Sequence, residues 1–512
     1  METSVHCKGN ERSERFCHFE NLCYHNEHKD FIFFMANASM IENVPSDSQN
    51  ILDLSSVADH TLHFFSFLYL PSETMTDFTV KWINRRSLIF NRFKPDNIMH
   101  ILHDDILPLH HTLKQIKGNF KLNRNTQEKF DIQILTFEDW PDDIEYQFLY
   151  DLFSRHDMLT VNSLKKMGEL VCFSDVYVGI SKETTWYQYG FYVPQGPVPN
   201  SKVTSSQIQD TVNYVLSHID TECTLCNLGP YLVLLSRKET RRILNEMDLS
   251  ISIAQHIGMK VLSVSLETHS LVDIINLIRN SKGLIGMHGS LLALAIFLQP
   301  GSILIELFPF AINPAHYTPY KTLSGIPSMN IYYANWVNTN EENTVMHPDW
   351  PPELGGISDL KDQQEIMNQK EVPKHLCCDD PSWLFHIYQD TIVDINTIIQ
   401  LVKTMLTASI NENTSEKARN IVAGPVRDLN CVTEKNSIRV KWKAPWSLRY
   451  IPHKTVQYQL FIFNTQLNST TSFLITNTIY TYNKTEATYS FLVWVQCQLD
   501  NLKGYLSNLV KC

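Results

Sequence analysis

Tyr231-Leu-Val-Leu-Leu235 begins the stretch of this 512-residue chain that decides its fold. Five consecutive apolar residues are too short for a buried helix and suit a strand covered on both faces. The pattern then repeats. Residues 245–257 have helical periodicity, Lys260-Val-Leu-Ser-Val264 is a second strand, 272–278 a helix, Gly283-Leu-Ile-Gly286 a third strand, 291–298 a helix and Ser302-Ile-Leu-Ile-Glu306 a fourth strand. Alternating buried strands and helices predict a parallel sheet covered on both sides, a Rossmann-like domain. Residues 317–360, aromatic and proline-rich, suit a long loop, and 379–405 a closing helix.

Upstream, Ser87-Leu-Ile-Phe90, Ile132-Gln-Ile-Leu135, Val171-Cys-Phe173 and Val176-Tyr-Val178 are short buried strands, and 207–218 is a helix before the Gly229-Pro230 turn. Residues 1–90 are β-rich and irregular, suited to edge strands. A first Rossmann-like domain over 1–230 facing a second over 231–410 gives a cleft at the carboxyl ends of both sets of strands, with the last helix able to pack back on the first domain. Residues 411–424 are polar and suit a linker. From 425 to 512 the class changes. Ile438-Arg-Val-Lys-Trp442, 456–463 and 489–496 alternate with period two, as in a β-sandwich similar to fibronectin type III, with Trp442 in its core and Tyr489 starting the penultimate strand.

Asn91-Arg-Phe-Lys-Pro-Asp-Asn-Ile-Met-His-Ile-Leu-His-Asp-Asp105 follows the strand at 87–90 and concentrates polar chemistry on a helix that starts at Pro95-Asp96. Asn97, His100 and Asp104 stand at i, i+3 and i+7 and share a face, whereas His103 and Asp105 point elsewhere and suit supporting roles, as does Arg92. His100 or Asp104 can take a proton from an attacking hydroxyl. The aromatic run 185–192 contains Trp186 and Tyr187 and reads equally as a platform for sugar rings or as domain-edge core; Val193-Pro-Gln-Gly-Pro197 after it excludes regular structure.

Three sites of the second domain lie just past strand ends. Ser236-Arg237, with Arg241 and Arg242 behind, brings guanidinium groups to a helix start, where a diphosphate is held. Met287-His288-Gly289-Ser290 offers backbone amides and a histidine to a phosphate, and Glu306 can take the hydroxyls of a ribose. Each alone also reads as an ordinary turn or surface group; their recurrence at successive strand ends favours a nucleotide site. There is no G-x-x-x-x-G-K-S/T, no G-x-G-x-x-G and no Asp-x-Asp after a strand, so P-loop hydrolysis and dinucleotide redox chemistry are unsupported and no metal or cofactor is expected. The net charge of -11 argues against nucleic acid as a partner.

Cysteines crowd the termini, C-x-x-C at Cys223 and Cys226 suits a disulfide or loop pair, and two of Cys431, Cys497 and Cys512 are expected to bridge the sandwich. With sequons at Asn37, Asn413, Asn468 and Asn483, this favours a secretory compartment. No apolar run reaches the roughly 18 to 20 residues of a membrane span, so a signal or anchor is expected outside this sequence.

The order of Asn-Arg-Phe-x-Pro-Asp-Asn-x-Met-His-x-x-His-Asp-Asp, Thr-Thr-Trp-Tyr-Gln-Tyr-Gly-Phe, Met-His-Gly, Glu-Leu-Phe-Pro, Asn-Pro-x-His-Tyr-Thr-Pro-Tyr-Lys-Thr-Leu and His-Leu-Cys-Cys closely resembles glycosyltransferase family 61, which holds the EGF-domain O-GlcNAc transferase and plant xylosyltransferases. The resemblance covers nearly the whole chain and implies a GT-B fold with a fibronectin type III domain. It implies inverting transfer of N-acetylglucosamine from UDP-GlcNAc, in β-1,4 linkage, to O-linked mannose on glycoproteins such as α-dystroglycan. It further implies an endoplasmic reticulum type II membrane protein, and is compatible with a homodimer. The family's Asn-x-x-His-x-x-x-Asp pattern maps onto Asn97, His100 and Asp104. Alternatives are a relative that uses an EGF domain or donates xylose, and a non-catalytic glycan-binding or adhesion protein.

Overall fold

Length and apolar continuity determine which segments become strands. In the computed structural model the run at 231–235 is the strand Tyr231–Leu235, buried throughout, and its parallel neighbours are Lys260–Val264 on one side and Gly283–Met287 on the other. Ile303–Phe308 and Tyr332–Val337 extend the sheet in parallel, giving five strands in the order 2-1-3-4-5. Gly283 is required by the sheet: an added β-carbon would stand 2.3 Å from Ile303 Cγ1 and 2.7 Å from its carbonyl oxygen. The structure describes all residues except 1, 46–49, 58–63, 119–127, 191–194, 224–225, 227–228, 377–379, 420–421, 452, 454, 485–489 and 500–501.

The chain forms two compact units, Met1–Ser409 and Ile410–Cys512. Within the first, a ten-stranded mixed sheet precedes the parallel one. Leu159–Thr160, Gln133–Thr136, Ser87–Ile89 and Leu170–Val178 run parallel, and Phe16–His25 joins the last of these antiparallel. The two short strands expected around 171–178 are one continuous strand. Cys23 lies opposite Cys172 and Cys7 opposite Cys17 in this sheet, and both pairs are disulfides. One apolar cluster includes Leu88 and Ile134 of this sheet, Tyr231 and Leu284 of the parallel sheet, and the helical segments that carry Leu109, Val212 and Leu292.

Several expectations need correction. Residues 291–298 form a 3-10 segment, Ser290–Phe297, buried along its length; without a polar face, packing rather than helical propensity sets its path. The stretch 317–360, read as a loop, contains the helix Pro319–Ser324 and the fifth strand Tyr332–Val337, which is half-buried and so lacks a continuous apolar run. Residues 379–405 are divided into Pro381–Tyr388 and Ile395–Arg419 by a short strand, Asp390–Thr391. The second helix packs Ile398, Ile399 and Val402 on Leu232 and Ile303 of the parallel sheet rather than back on the first, and it continues through 411–419, read as linker. Gly196–Pro197, expected to be irregular, pairs with Tyr187–Gln188.

The second unit is a β-sandwich. Arg427–Thr433, Ser437–Lys443 and Ile479–Asn483 form one sheet; Ser469–Ile475, Val456–Asn464, Phe491–Leu499 and Leu502–Leu506 form the other, with Val510–Lys511 added to Phe491–Leu499. Strict alternation buries Ile438, Val440 and Trp442 against Leu460, Ile462 and Val493. Tyr489 lies outside the described residues. Asn37, Asn468 and Asn483 are exposed, whereas the Asn413 side chain is outside the described part. No helix among the described residues is long and apolar enough to cross a membrane.

Among the described residues, Cys223–Cys226 and Cys431–Cys512 complete four disulfides, and Cys497 is buried and free. Non-reducing peptide mapping should recover all four pairs with Cys497 unpaired. Because Cys431–Cys512 closes a loop with a sequence separation of 81, Cys431→Ser is expected to cost the sandwich about 2–5 kcal/mol in chemical denaturation.

Candidate active site

The strand Ser87–Ile89 delivers the chain to a polar turn. Asn97 caps the helix that follows, accepting a hydrogen bond from Met99 N at 3.0 Å. Its oxygen is used by the backbone, so Asn97 starts the helix rather than offering that atom to a ligand. After Ile98–His100 the helix widens into a π turn, Ile101–Ile106, before resuming at Leu107. π turns are rare and concentrate at functional sites.

The wide turn gathers His100, His103 and Asp104. His100 Nδ1 donates to Asp104 Oδ2 at 2.7 Å and His103 Nδ1 donates to Oδ1 at 2.5 Å. On a regular α-helix adjacent side chains diverge, which is why the sequence placed His103 off this face; the structure corrects that. Tyr189 Oη also donates to Oδ2, at 2.9 Å, so the carboxylate accepts from three side chains. Burial alone would raise the Asp104 carboxyl, but His103 and His100 outweigh it and hold it below the usual carboxylate range.

Asp105, next in sequence, is driven the other way. Burial pushes its carboxyl well above the usual range, although Tyr150 Oη donates to it at 2.6 Å. Behind it Arg92, fully buried, forms an ion pair with buried Glu138, reaches Gln147 Oε1 at 3.3 Å and lies over the Tyr150 ring. Arg92 and Asp105 therefore support the turn from inside. Trp186 is 1% exposed, edge-on to His103, and its Nε1 donates to Pro319 O at 3.0 Å. Tyr187 is buried as well, and its hydroxyl accepts from Thr318 N. The domain-edge reading holds for Trp186, which has no face open to a sugar. A cavity of about 760 Å³ begins at Asp104, Tyr187 and Tyr189 and extends past Ser56, Gln188 and Lys202, a size that suits a ligand.

The parallel sheet supplies the second half. Its order reverses between Tyr231–Leu235 and Gly283–Met287, and open α/β sheets bind ligands at that crevice, outside the carboxyl ends of the strands. Arg237 and Arg241 meet there: a β-carbon on Gly289 would lie 2.5 Å from Arg237 Nη2 and 2.5 Å from Arg241 Nη1. Arg241 Nη1 donates to His288 O at 2.8 Å, its guanidinium lies over Tyr388, and its buried Nε has no partner. Arg241 also adopts φ +57°, an uncommon conformation for a side chain of its size. Burial, then the neighbouring Arg241 charge, pull the Arg237 guanidinium down to about 9, and burial lowers Arg241 too. Two like charges brought to the same β-carbon position repel each other. Among the described residues neither forms an ion pair with a carboxylate.

The other expected donor residues are placed differently. Arg242 is committed to Asp390, with Nε at 2.9 Å and Nη2 at 2.6 Å, and His347 shares that carboxylate; of the two adjacent arginines only Arg241 faces Gly289. Nothing in the spacing ranks one of these adjacent arginines above the other. Ser236 Oγ donates to Glu246 Oε2 at 2.8 Å. Glu306 is 0% exposed, and its oxygens accept from His288 Nδ1 at 2.6 Å and Tyr333 Oη at 2.6 Å. It orients His288 beside Gly289 rather than meeting a ribose directly. Tyr320 Oη donates to Gly289 O at 2.7 Å, and Ile98–His100 packs against Ser290–Phe297, so the histidine turn and the guanidinium pair are neighbours. Tyr189, Tyr320 and Tyr388, all missed in the sequence, come together only through the fold.

The chain belongs to the glycosyltransferase 61 family, whose model matches residues 63–305. It is 38% identical over its whole length, and over 89% of the relative's, to protein O-linked-mannose β-1,4-N-acetylglucosaminyltransferase 2 of Xenopus laevis. The Mus musculus and Homo sapiens proteins of that name are 38% and 37% identical with the same coverage. Among solved structures, the FN5 domain of Drosophila Lar is similar over 18% of this chain and 95% of its own, at 16% identity and a TM-score of 0.15.

Removing Arg92 leaves Glu138 buried without its partner. Arg92→Leu is expected to lower stability by about 3–5 kcal/mol in urea denaturation, more than Arg242→Leu, whose guanidinium is 41% exposed.

Proposed function

We propose that this glycosyltransferase moves N-acetylglucosamine from UDP-GlcNAc, in β-1,4 linkage and with inversion, to O-linked mannose on glycoproteins such as α-dystroglycan. The observation that carries the reading is the guanidinium pair Arg237 and Arg241, without carboxylate partners, beside a turn that holds a histidine against a buried carboxylate. A GT-B arrangement accounts for it: the first sheet's domain presents the base, and the parallel sheet holds the nucleotide diphosphate at its switch point.

The attacking hydroxyl forms a bond to the anomeric carbon as the bond to the phosphate oxygen breaks on the opposite face, so an α-linked donor gives a β-linked product. Arg237 and Arg241 neutralise the charge that develops on the departing UDP, with the His288 and Gly289 region at its edge. The proton goes to His100 Nε2. Asp104 is 1% exposed with its oxygens taken by three donors, whereas the His100 side chain is 14% exposed and keeps Nε2 for the acceptor. Asp104 therefore orients His100 and stabilises its protonated form, as carboxylates do for catalytic histidines. The reaction needs no metal, since guanidinium groups supply the positive charge. The disulfides among the described residues fit residence in an oxidising lumen such as the endoplasmic reticulum.

UDP in chelator-containing buffer should raise the melting temperature, by about 2.7 kcal/mol of stabilisation at a hundredfold excess over Kd. The double variant Arg237→Ala and Arg241→Ala should abolish that shift. His100→Gln should retain it while transfer from UDP-GlcNAc to an O-mannosyl peptide falls by about 10²–10⁴-fold. Undiminished transfer by His100→Gln would move the base elsewhere, and transfer to an EGF domain instead of the O-mannosyl peptide would overturn the acceptor.

A further inference from the structure

His103 is not used in the step above, yet it is the most constrained side chain of the site. It is 1% exposed and its ring lies edge-on to Trp186 at 4.2 Å. Its Nε2 faces two backbone donors, Trp186 N at 3.0 Å and Tyr187 N at 3.3 Å, so Nε2 must accept and cannot carry a proton. The proton is therefore on Nδ1, where it is donated to Asp104 Oδ1. The surroundings fix the orientation of the ring.

We propose that His103 is a positioning residue that joins the backbone at Trp186 and Tyr187, next to the cavity, to the carboxylate that orients His100. The inference rests on the His100–Asp104 reading. Thr185, Tyr187, Gln188 and Tyr189 border the cavity, and Tyr189 reaches the same carboxylate directly. A shift of this segment is passed through a rigid ring to Asp104, so the base is aligned only when the cavity wall is in place. The π turn makes the link: without it His103 and His100 would not reach one carboxylate from the same side. An apolar residue would fill the space equally well, but it would leave two backbone N–H groups and one carboxylate oxygen without partners.

The groups that face Asp104 are His100, His103 and Asp105 from its own turn and Tyr189 from the cavity segment, with Ser56 Oγ donating to its backbone oxygen. Burial raises the Asp104 carboxyl and the hydrogen bonds it accepts from His100 and His103 lower it, so loss of the His103 bond lets it rise. His100 then loses its ionised partner at a higher pH than before.

The test compares His103→Leu, His103→Gln and Asp104→Asn in the full chain, with UDP-GlcNAc and an O-mannosyl peptide. His103→Leu should lower kcat by about 10²-fold, leave KM for UDP-GlcNAc and the UDP-induced melting shift unchanged, and move the acid limb of the kcat profile to higher pH. His103→Gln, whose amide has both an acceptor and a donor, should recover at least tenfold of that loss and return the acid limb toward the wild-type position. Equal losses in the Leu and Gln variants with an unmoved acid limb would reduce His103 to a packing residue and overturn the proposal, as would wild-type kcat in His103→Leu. If His103→Leu does not fold, the Gln variant alone decides through its acid limb and kcat. No transfer by the wild-type enzyme, or full transfer by Asp104→Asn, would instead overturn the His100–Asp104 reading.

Discussion

The structure of the site depends on one buried carboxylate. Asp104 has two oxygens and three side-chain donors, His100, His103 and Tyr189, which come from two separate segments of the chain. A charge at that depth is tolerable only when its hydrogen bonds are made, because desolvation costs several kcal/mol that the donors must offset. The π turn, the buried Trp186 and the pairing of Tyr187–Gln188 with Gly196–Pro197 all serve to bring those donors within reach. Asp105 shows the contrast one position away: with fewer donors and a like charge beside it, its carboxyl is driven upward. Adjacent acids in one turn thus have opposite protonation tendencies, set by partners rather than by depth.

The guanidinium pair follows the inverse logic. Arg237 and Arg241 repel each other, are lowered by burial and lack ion-pair partners among the described residues. Such an arrangement is costly by itself, and on the proposed reading a diphosphate offsets that cost. Gly289 makes it geometrically feasible, since any side chain there would occupy the space of both guanidinium tips. Tyr320, held to the Gly289 carbonyl, connects this crevice to the segment that meets Trp186 and Tyr187.

Much of this was legible in the sequence where a physical period operates. Strands such as Tyr231–Leu235 and Ile303–Phe308 announce themselves because burial on both faces demands continuous apolar residues, and Ser437–Lys443 because one-sided burial demands alternation. Tyr332–Val337 has neither pattern and was hidden. In the site, His100 and Asp104 were found because helical spacing places them together, while His103 was assigned to the wrong face because helix widening leaves no mark on composition. Arg241 and Arg242 were not told apart because the choice rests on a positive φ and on Asp390, which lies far along the chain. Trp186 was left between sugar platform and core, and Glu306 was read as a ligand contact, since burial by distant segments cannot be seen in local pattern.

The Cys23–Cys172 pairing has a consequence for the order of events in the cell. The strand that carries Cys23 is laid against one that carries Cys172, a sequence separation of 149 residues. At roughly 5–20 residues per second, that partner follows roughly 7–30 s later on the ribosome. Meanwhile Cys7, Cys17 and Cys23 are all exposed to the same oxidant, and only Cys7–Cys17 has both halves present. The amino-terminal strands must therefore wait, with one thiol unspent, for a segment that ends within ten residues of the loop holding Trp186, Tyr187 and Tyr189. Completion of the first sheet and delivery of the residues that hold Asp104 are, in translation time, nearly the same moment.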